Sequence, residues 1–343
     1  MKALVLEQYR QLVYKDMPEP EMGPEDVLIH VSACGICGSD VHGMDGSSGR
    51  RIPPIIMGHE AAGVITQVGS AVAGWKPGDR VTFDSTIYCG KCYFCRRGDI
   101  NCCDNRRVVG VSCADYRQHG AFADYVAVPQ HILYRLPDKL SFERATLVEP
   151  LSIAFHSVNI TPISLNDSAV VVGAGMVGLL VIQALRASGC GQIIAVDIDP
   201  DRLNLACRLG ANRGLLSDSP DIVQQILRFT DNRGADIVFD VVGIAPTVKL
   251  AVQSARKRGI VTLIGNLAPS VELPLQTVVT RGLTLLGSLA SRGEYPAALE
   301  MIERGAINVD ALIGAIAPLA DGAAWFDRLY KRESGLLKVV LMP

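Results

Sequence analysis

The segment Ala169–Gly178, AVVVGAGMVG, decides the fold of the second half of this chain of 343 residues. Four apolar residues predict a buried strand, and the spacing G-x-G-x-x-G then leads into a helical pattern over 176–188. Gly173 permits a tight turn, Gly175 lets the backbone approach a pyrophosphate, and Gly178 lets strand and helix pack closely. The three glycines alone are weak evidence. Their position between a strand and a helix predicts a dinucleotide-binding turn.

The residues around this turn predict which dinucleotide binds. Met176 and Val177 begin the helix, whose N-terminal N–H groups and dipole favour phosphate. Asp197 ends the next predicted strand, where a carboxylate accepts hydrogen bonds from ribose hydroxyls and repels a 2′-phosphate. Arg202 lies nearby in sequence, but Asp197 occupies the place of that phosphate. The sequence therefore predicts NAD rather than NADP.

Beyond this turn, short apolar runs alternate with helical patterns, which predicts βαβ units and a parallel sheet. The predicted strands are 169–172, 193–196, 237–240, 260–264 and 283–286, and the predicted helices are 176–188 and 202–209. The first half is punctuated by glycine and proline, and short strands are predicted at 27–31, 63–68, 80–83 and 125–128. The last fifty-odd residues are predicted to hold helices near 297–304 and 323–331 and a closing strand at 338–341. The chain is thus α/β, with a β-rich first half.

Four cysteines predict a structural zinc site. Cys89, Cys92 and Cys95 form C-x2-C-x2-C, and Cys103 follows after seven residues. Four thiolates at the corners of a tetrahedron leave no open position for water, so such a site is structural rather than catalytic. Cys102 is an alternative fourth ligand.

A second metal site is predicted from residues that are far apart in sequence. Cys37, His59 and a carboxylate would give a mixed sulfur, nitrogen and oxygen zinc site with room for water, which is a catalytic arrangement. The carboxylate is Glu60 or Glu149, and the sequence does not decide between them. Each residue alone also has a structural interpretation: a buried thiol, a core histidine, or a helix cap.

Composition and charge exclude several classes of protein. The net charge of −2 gives no indication of a nucleic-acid or anionic-membrane partner. Ten cysteines in a chain of this length are too sparse for a disulfide scaffold. The N-terminus meets a charge too early for a signal peptide, and no apolar run reaches the ~20 residues of a membrane helix. We therefore expect a cytoplasmic protein.

These motifs, in this order, resemble the zinc-containing medium-chain dehydrogenase/reductase family along the whole chain. The matching elements are the segment 58–63 (GHEAAG) with Gly69, the segment 77–81 (PGDRV), the four-cysteine lobe and the GAGMVG turn. In the family an Asn-x pair precedes the fourth lobe cysteine, which favours Cys103. The resemblance implies a GroES-like β-rich catalytic domain, residues 1–154 and 289–343 with a zinc lobe at 85–105. It also implies an inserted Rossmann domain, residues 155–288, with a doubly wound parallel sheet, and an active site in the cleft between the two domains.

Within the family, the chain is most similar to the sorbitol (polyol) and threonine dehydrogenase branch. The markers are the segments 37–42 (CGSDVH) and 149–152 (EPLS). The resemblance implies NAD-linked oxidation of a secondary alcohol of a polyol, with one catalytic and one structural zinc per subunit and a homodimer or homotetramer. Arg292 falls near a substrate-contacting arginine of polyol relatives. Alternative activities are those of L-threonine 3-dehydrogenase, 2,3-butanediol dehydrogenase and sugar-alcohol-phosphate dehydrogenase.

The resemblance also implies roles for two residues near Cys37. Ser39 would receive the proton of the substrate hydroxyl, and His42 would help to pass it to solvent. The pair Arg50-Arg51 is either a phosphate-binding pair or a solvated surface pair, and the latter is favoured. A zinc-free reductase of the same superfamily and a non-catalytic NAD-binding sensor are two further hypotheses. The presence of the cysteine lobe and of all the candidate ligands argues against both.

Overall fold

The computed structural model describes residues 1–343, which form two compact units. Unit 1 comprises 1–149, 295–305 and 309–343, and unit 2 comprises 150–294 and 306–308. The chain thus changes unit after Glu149 and after Glu294, whereas the sequence predicted changes after residues 154 and 288. Helix Val148–Asn159 runs through the first of these changes.

The regular elements are 20 strands and 11 α-helices. In chain order the strands are β1 Lys2–Gln8, β2 Gln11–Asp16, β3 Asp26–Gly35, β4 Ile55–Ile56, β5 Glu60–Val68, β6 Arg80–Phe83, β7 Thr86–Ile87, β8 Arg107–Val108, β9 Val111–Ser112, β10 Arg117–Gln118, β11 Tyr125–Pro129, β12 Leu133–Arg135, β13 Ser168–Val172, β14 Gln192–Asp197, β15 Arg213–Leu216, β16 Ala235–Asp240, β17 Ala255–Leu263, β18 Thr284–Gly287, β19 Ile313–Pro318 and β20 Lys338–Met342. The helices are α1 Gly38–Met44, α2 Tyr93–Arg96, α3 Phe142–Ala145, α4 Val148–Asn159, α5 Met176–Ala187, α6 Pro200–Arg208, α7 Ile222–Arg228, α8 Ala245–Ser254, α9 Leu275–Arg281, α10 Tyr295–Glu303 and α11 Gly322–Tyr330.

Unit 1 is built on a seven-stranded sheet in the order β12-β6-β5-β3-β20-β19, with β11 also paired to β3. The antiparallel pairing of β20 with β3 brings the last strand of the chain beside one of the first. Unit 1 therefore includes both ends of the chain. Its apolar core is drawn from both parts, and it includes Leu4, Ile29, Phe122, Phe326 and Leu341.

Unit 2 contains a six-stranded parallel sheet in the order β15-β14-β13-β16-β17-β18. From β13 the chain adds strands first towards β15 and then, from β16 onwards, on the opposite side. This change in strand order is the switch point of a doubly wound fold, where ligands bind beyond the carboxyl ends of the strands. Because the sheet lies between helices, its central strands are almost wholly apolar and buried. The predicted Rossmann architecture is confirmed.

Membrane insertion has no support in the helices. None of them combines the length and the hydropathy that a bilayer crossing requires.

Candidate active site and dinucleotide-binding turn

Three of the predicted catalytic ligands lie together at the junction of α1 and β5. Cys37 is the N-cap residue of α1, and Glu60 begins β5 directly after His59. One ligand atom from each lies within 4.8 Å of the other two. His59 and Glu60 are buried, with 6% and 0% of their surface exposed. The set supplies sulfur, nitrogen and oxygen, the three donor types that zinc binds in proteins.

Glu60 is held on one side by a lysine from the last strand. The ammonium of Lys338 in β20 donates to Glu60 Oε2 and, at 3.0 Å, to the carbonyl oxygen of Ile36. Lys338 and Glu60 are both buried. The other oxygen, Glu60 Oε1, is buried without a hydrogen-bond partner. A buried carboxylate oxygen that lacks a hydrogen-bond donor destabilises the fold, so this atom is suited to bind a cation in the site.

Asp40 ties the cluster to a buried arginine. Its Oδ1 accepts from Arg51 Nη2 at 2.8 Å and lies 3.5 Å from His59 Nδ1, and its Oδ2 accepts from the Cys37 backbone N–H at 3.3 Å. Burial alone would raise the pKa of Asp40, but His59 and Arg51 hold it well below its usual range. His59 Nδ1 makes no hydrogen bond, but a charged carboxylate at this distance favours the ring orientation in which Nδ1 faces Asp40, as partners of metal-binding histidines do.

This contact corrects the interpretation of Arg50-Arg51 as a solvated pair. Only 4% of Arg51 is exposed, and its guanidinium forms an ion pair with Asp40. Arg50 is exposed, as expected.

Glu149 lies in the first turn of α4 and belongs to neither group of candidate metal ligands. Its Oε1 accepts from Ser85 Oγ at 2.9 Å. Burial raises the pKa of Glu149 to about 7, and the nearby Glu60 acts in the same direction while His59 opposes it. Glu149 is therefore close enough to the cluster for Glu60 and His59 to affect its pKa. Its direct ligation of zinc stays a prediction.

The two predicted proton-relay residues lie on α1. Ser39 is exposed in its first turn, and its Oγ accepts from Arg51 Nη2 at 3.4 Å. His42 follows in the last turn of the same helix and is half-buried. Their roles in proton transfer stay predictions.

The lobe cysteines converge as the spacing predicts. The sulfur atoms of Cys89, Cys92, Cys95 and Cys103 lie within 4.8 Å of one another, whereas the exposed Cys102 is outside the group. Backbone N–H groups of Cys89 and Asn105 donate to Cys103 Sγ at 3.3 Å each. Hydrogen bonds from the backbone lower the pKa of Cys89 to about 6, whereas burial and the neighbouring thiols raise that of Cys95 to about 12. Four thiols at this distance, with N–H donors aimed at them, fit a four-thiolate zinc site.

The glycine-rich turn of unit 2 has the geometry that its sequence predicts. Gly173 has φ +101°, which an L side chain rarely adopts, and a Cβ on Gly178 would clash with the carbonyl oxygen of Gly173. A Cβ on Gly175 would meet nothing within 4 Å, so the space in front of the α5 N-terminus is open. The turn fits a bound pyrophosphate.

Asp197 is hydrogen-bonded to the backbone of this turn. It ends β14, and its Oδ2 accepts from the Ala174 N–H at 2.6 Å while its Oδ1 accepts from the Asp199 N–H at 3.0 Å. Arg202 Nε lies 3.6 Å from Asp199 Oδ2, so Arg202 is drawn towards the N-cap of α6.

The segment before α10 contains Arg292 and a buried contact between a glutamate and a histidine that the sequence did not reveal. Glu294 Oε2 accepts from the Arg292 backbone N–H, and Glu294 Oε1 lies 2.9 Å from His156 Nδ1 on α4. Nothing local in the sequence links His156 to Glu294, because 138 residues separate them. The contact of Arg292 with substrate stays a prediction.

Comparison with known proteins agrees with this description. Residues 23–138 match the alcohol dehydrogenase GroES-like domain, and residues 176–304 match the zinc-binding dehydrogenase family. The chain is similar to sorbitol dehydrogenase of Bacillus subtilis (strain 168), with 31% identity over 347 residues that cover 100% of this chain and 97% of the relative. It is also similar to D-arabitol-phosphate dehydrogenase of Enterococcus avium, with 32% identity and coverage of 97% and 94%. A zinc-binding dehydrogenase of Sinorhizobium meliloti 1021, solved with NADP, superimposes with a TM-score of 0.91 at 31% identity, covering 100% and 99% of the two chains.

The chain therefore belongs to the zinc-type medium-chain dehydrogenases, which have a GroES-like domain and a Rossmann-like domain. Within them it falls in the sorbitol-dehydrogenase-like branch, and it is an oxidoreductase for alcohols or polyols that uses zinc and a nicotinamide dinucleotide.

Proposed function

We propose that this protein oxidises a secondary alcohol of a polyol to a ketone, with NAD as hydride acceptor. The observation that carries the proposal is the buried cluster of Cys37, His59 and Glu60, with Glu149 close by in the same unit. The retained Glu149-Pro150-Leu151-Ser152 segment and the relatives that act on sugar alcohols support a polyol as substrate.

The chemistry divides between the cofactors and the chain. Zinc held by Cys37, His59 and one or both glutamates would supply Lewis acidity that lowers the pKa of a substrate hydroxyl. The nicotinamide would accept the hydride. The chain positions these partners: Asp40 orients His59, Lys338 fixes one oxygen of Glu60, and Ser85 fixes one oxygen of Glu149.

Ser39 is proposed to receive the hydroxyl proton. It lies two residues after Cys37 in the first turn of α1, and its hydroxyl oxygen is hydrogen-bonded by Arg51. A cationic donor to this oxygen favours loss of its proton onward. His42 lies on the same helix and is proposed to pass that proton to water, since an imidazole can both accept and donate a proton.

The preference for NAD over NADP rests on Asp197. A 2′-phosphate placed against its carboxylate would meet like-charge repulsion, and Arg202 is paired with Asp199 instead of being directed at that position. The Sinorhizobium relative was solved with NADP, so the preference is a property to be measured for this chain.

The test is a substrate panel followed by NADH absorbance at 340 nm. The panel contains sorbitol, xylitol, galactitol, 2,3-butanediol and L-threonine, each with NAD and with NADP. We expect the highest kcat/KM with a polyol and NAD. A preference for threonine or butanediol would identify one of the alternative activities, and equal use of NADP would contradict the role given to Asp197.

We further propose that the protein is a homo-oligomer formed along the edge of the unit 2 sheet. Strand β18 is one of the two edge strands, and the preceding helix α9 exposes Leu275 and Val279 to 63% and 68%. Unpaired edge strands next to exposed apolar residues favour association with a second copy. Light scattering should show a smaller assembly for Val279→Lys, whereas Leu165→Lys, at another residue that is 85% exposed, should leave the assembly unchanged.

The proposed location is the cytoplasm. All ten cysteines are free thiols, and a four-thiolate metal site persists best in a reducing compartment.

A further inference from the structure

Arg106 is a partly buried arginine that none of the roles above uses. Its Nε and Nη2 donate to Thr86 Oγ1 at 3.3 and 3.2 Å, and no carboxylate lies within ion-pair distance. A guanidinium carries five N–H donors, so most of the donors of Arg106 make no hydrogen bond within the protein. Partly buried arginines without a counter-ion are costly unless a ligand supplies the charge.

The position of Arg106 connects it to the catalytic cluster. Thr86 begins β7 directly after Ser85, and Ser85 is the residue that hydrogen-bonds Glu149. Strand β7 pairs with β8, in which Val108 faces Thr86. Arg106 is therefore connected to Glu149 through the adjacent residues Thr86 and Ser85, each of which makes one of the two hydrogen bonds.

A second arginine without a side-chain partner is held beside β9. The Ser112 N–H donates to the carbonyl oxygen of Arg50 at 3.2 Å, which fixes the Arg50 backbone beside β9. The Arg50 side chain is exposed, and its guanidinium has no hydrogen-bond or ion-pair partner. Tyr116, whose hydroxyl accepts from the Val108 N–H at 3.1 Å, connects this region to β8.

The charges that act on Arg106 include those of both Arg50 and Glu149. Burial lowers the pKa of the Arg106 guanidinium, and the charge of Arg50 lowers it further, while Tyr116, Asp84 and Glu149 raise it. Arg106 is thus within electrostatic reach of a second arginine and of the carboxylates of Asp84 and Glu149.

We propose that Arg50 and Arg106 form an anion subsite, which binds the carboxylate or phosphate at one end of an acidic polyol. The inference rests on the proposed polyol oxidation, and it narrows the substrate class to a polyhydroxy chain with a terminal oxyanion. Arg106, already oriented by Thr86, donates to the anion, and Arg50 adds the second charge from the exposed side. The secondary hydroxyl then lies towards Glu149.

The experiment uses matched sets that differ only at one end of the chain: sorbitol, sorbitol 6-phosphate and gluconate, and galactitol, galactitol 1-phosphate and galactonate. We measure kcat/KM with NAD for the wild-type holoenzyme, Arg106→Ala, Arg50→Ala and the control Arg107→Ala. Arg107 is the exposed neighbour of Arg106 and carries the same charge. Calorimetry with the same compounds gives binding without turnover.

We expect an acidic member to be the better substrate, and the phosphate and carboxylate arms identify which anion is accepted. Arg106→Ala should lower kcat/KM for that member by ~10- to 100-fold, the range for loss of charge-assisted hydrogen bonds. It should change the neutral counterpart less than about threefold, and Arg107→Ala should change neither. Arg50, being exposed, provides a variant that folds even where Arg106→Ala does not.

Three results would overturn the subsite: a neutral polyol preferred over both acidic counterparts, equal losses in Arg106→Ala and Arg107→Ala, or unchanged binding of the acidic member in both Arg50→Ala and Arg106→Ala. The first leaves polyol oxidation intact and removes the subsite alone. Absence of oxidation across the whole set would contradict the proposed function as well.

Discussion

Replacement of Lys338 by methionine tests the buried ion pair behind the catalytic cluster. Burial alone would lower the pKa of Lys338, but Glu60 raises it above the ordinary value, so the ammonium is charged at neutral pH. Lys338→Met keeps roughly the length of the side chain. It removes the two hydrogen bonds of the ammonium, one to Glu60 and one to the carbonyl oxygen of Ile36. Glu60 would then be a buried carboxylate without any donor in the chain, because its Oε1 already lacks one. Removal of one partner of such a pair costs about 3–5 kcal/mol.

Urea unfolding of wild type and variants, all in the presence of a chelator so that no metal ion binds Glu60, is followed by tryptophan fluorescence and measures this cost. Trp75 and Trp325 are the two tryptophans of the chain, and both belong to unit 1, as does Lys338. The signal therefore reports the unit that contains the mutation. The control is Lys331→Met, because Lys331 is an exposed lysine 4.0 Å from Asp327 and should contribute at most about 1 kcal/mol.

A second substitution separates the unpaired charge from lost packing. Glu60→Gln in the Lys338→Met background removes the stranded charge, so the double variant should be more stable than Lys338→Met alone. A loss below about 1 kcal/mol in Lys338→Met, or a double variant less stable than the single one, would refute the argument from buried charge.

The other predictions concern the cofactor and the two metal sites. Asp197→Ala should lower the ratio of kcat/KM for NAD over NADP by at least about tenfold, since a charge-assisted hydrogen bond is worth ~1.5–3 kcal/mol; steady-state kinetics with both cofactors measure it, and an unchanged ratio would contradict it. Adding Arg202→Ala should reduce the gain in NADP activity, and an equal gain would remove Arg202 from that role. Cys37→Ser or His59→Ala should abolish turnover and remove one zinc per subunit with the circular dichroism spectrum retained; collapse of the fold would mean that this metal is structural. Cys95→Ser should lower thermal stability or weaken assembly, because its zinc organises its own loop; a fully stable, assembled and active variant would disagree with this.

Local patterns predicted much of the fold. The strand predicted at 80–83 is observed with the same bounds, and the helix predicted over 176–188 ends one residue earlier. These elements depend on apolar period and on glycine or proline nearby in sequence. Helix α4 was not predicted, because Glu149 and Pro150 interrupt its apolar pattern. The structure places both residues in the first turn, where proline lacks only an N–H that has no partner within the helix.

In the candidate site, too, the sequence predicted the residues of short local motifs but not their partners from distant segments. Cys37, His59 and the lobe cysteines belong to motifs of a few residues, so their types and spacing indicated a metal. The residues that surround them come from distant segments: 278 residues separate Lys338 from Glu60. Arg51 looked like half of a surface pair, because burial against Asp40 depends on how α1 and the following loop fold. Pairings of this kind follow from tertiary structure, and only a pattern of paired substitutions among relatives would reveal them in sequence.

The four-cysteine lobe has a consequence for the lifetime of the protein. Helix α2 buries none of its residues, and Tyr93 and Phe94 are exposed to 64% and 36%. Because this helix contributes no buried side chain, we expect the lobe to depend largely on its metal for order. A molecule that loses this zinc therefore presents a loop rich in lysine and arginine, within 91–107, to any protease that cleaves after basic residues. Limited trypsin digestion with and without a chelator would reveal such cleavage, and in a cell the same susceptibility would remove zinc-depleted enzyme from the pool.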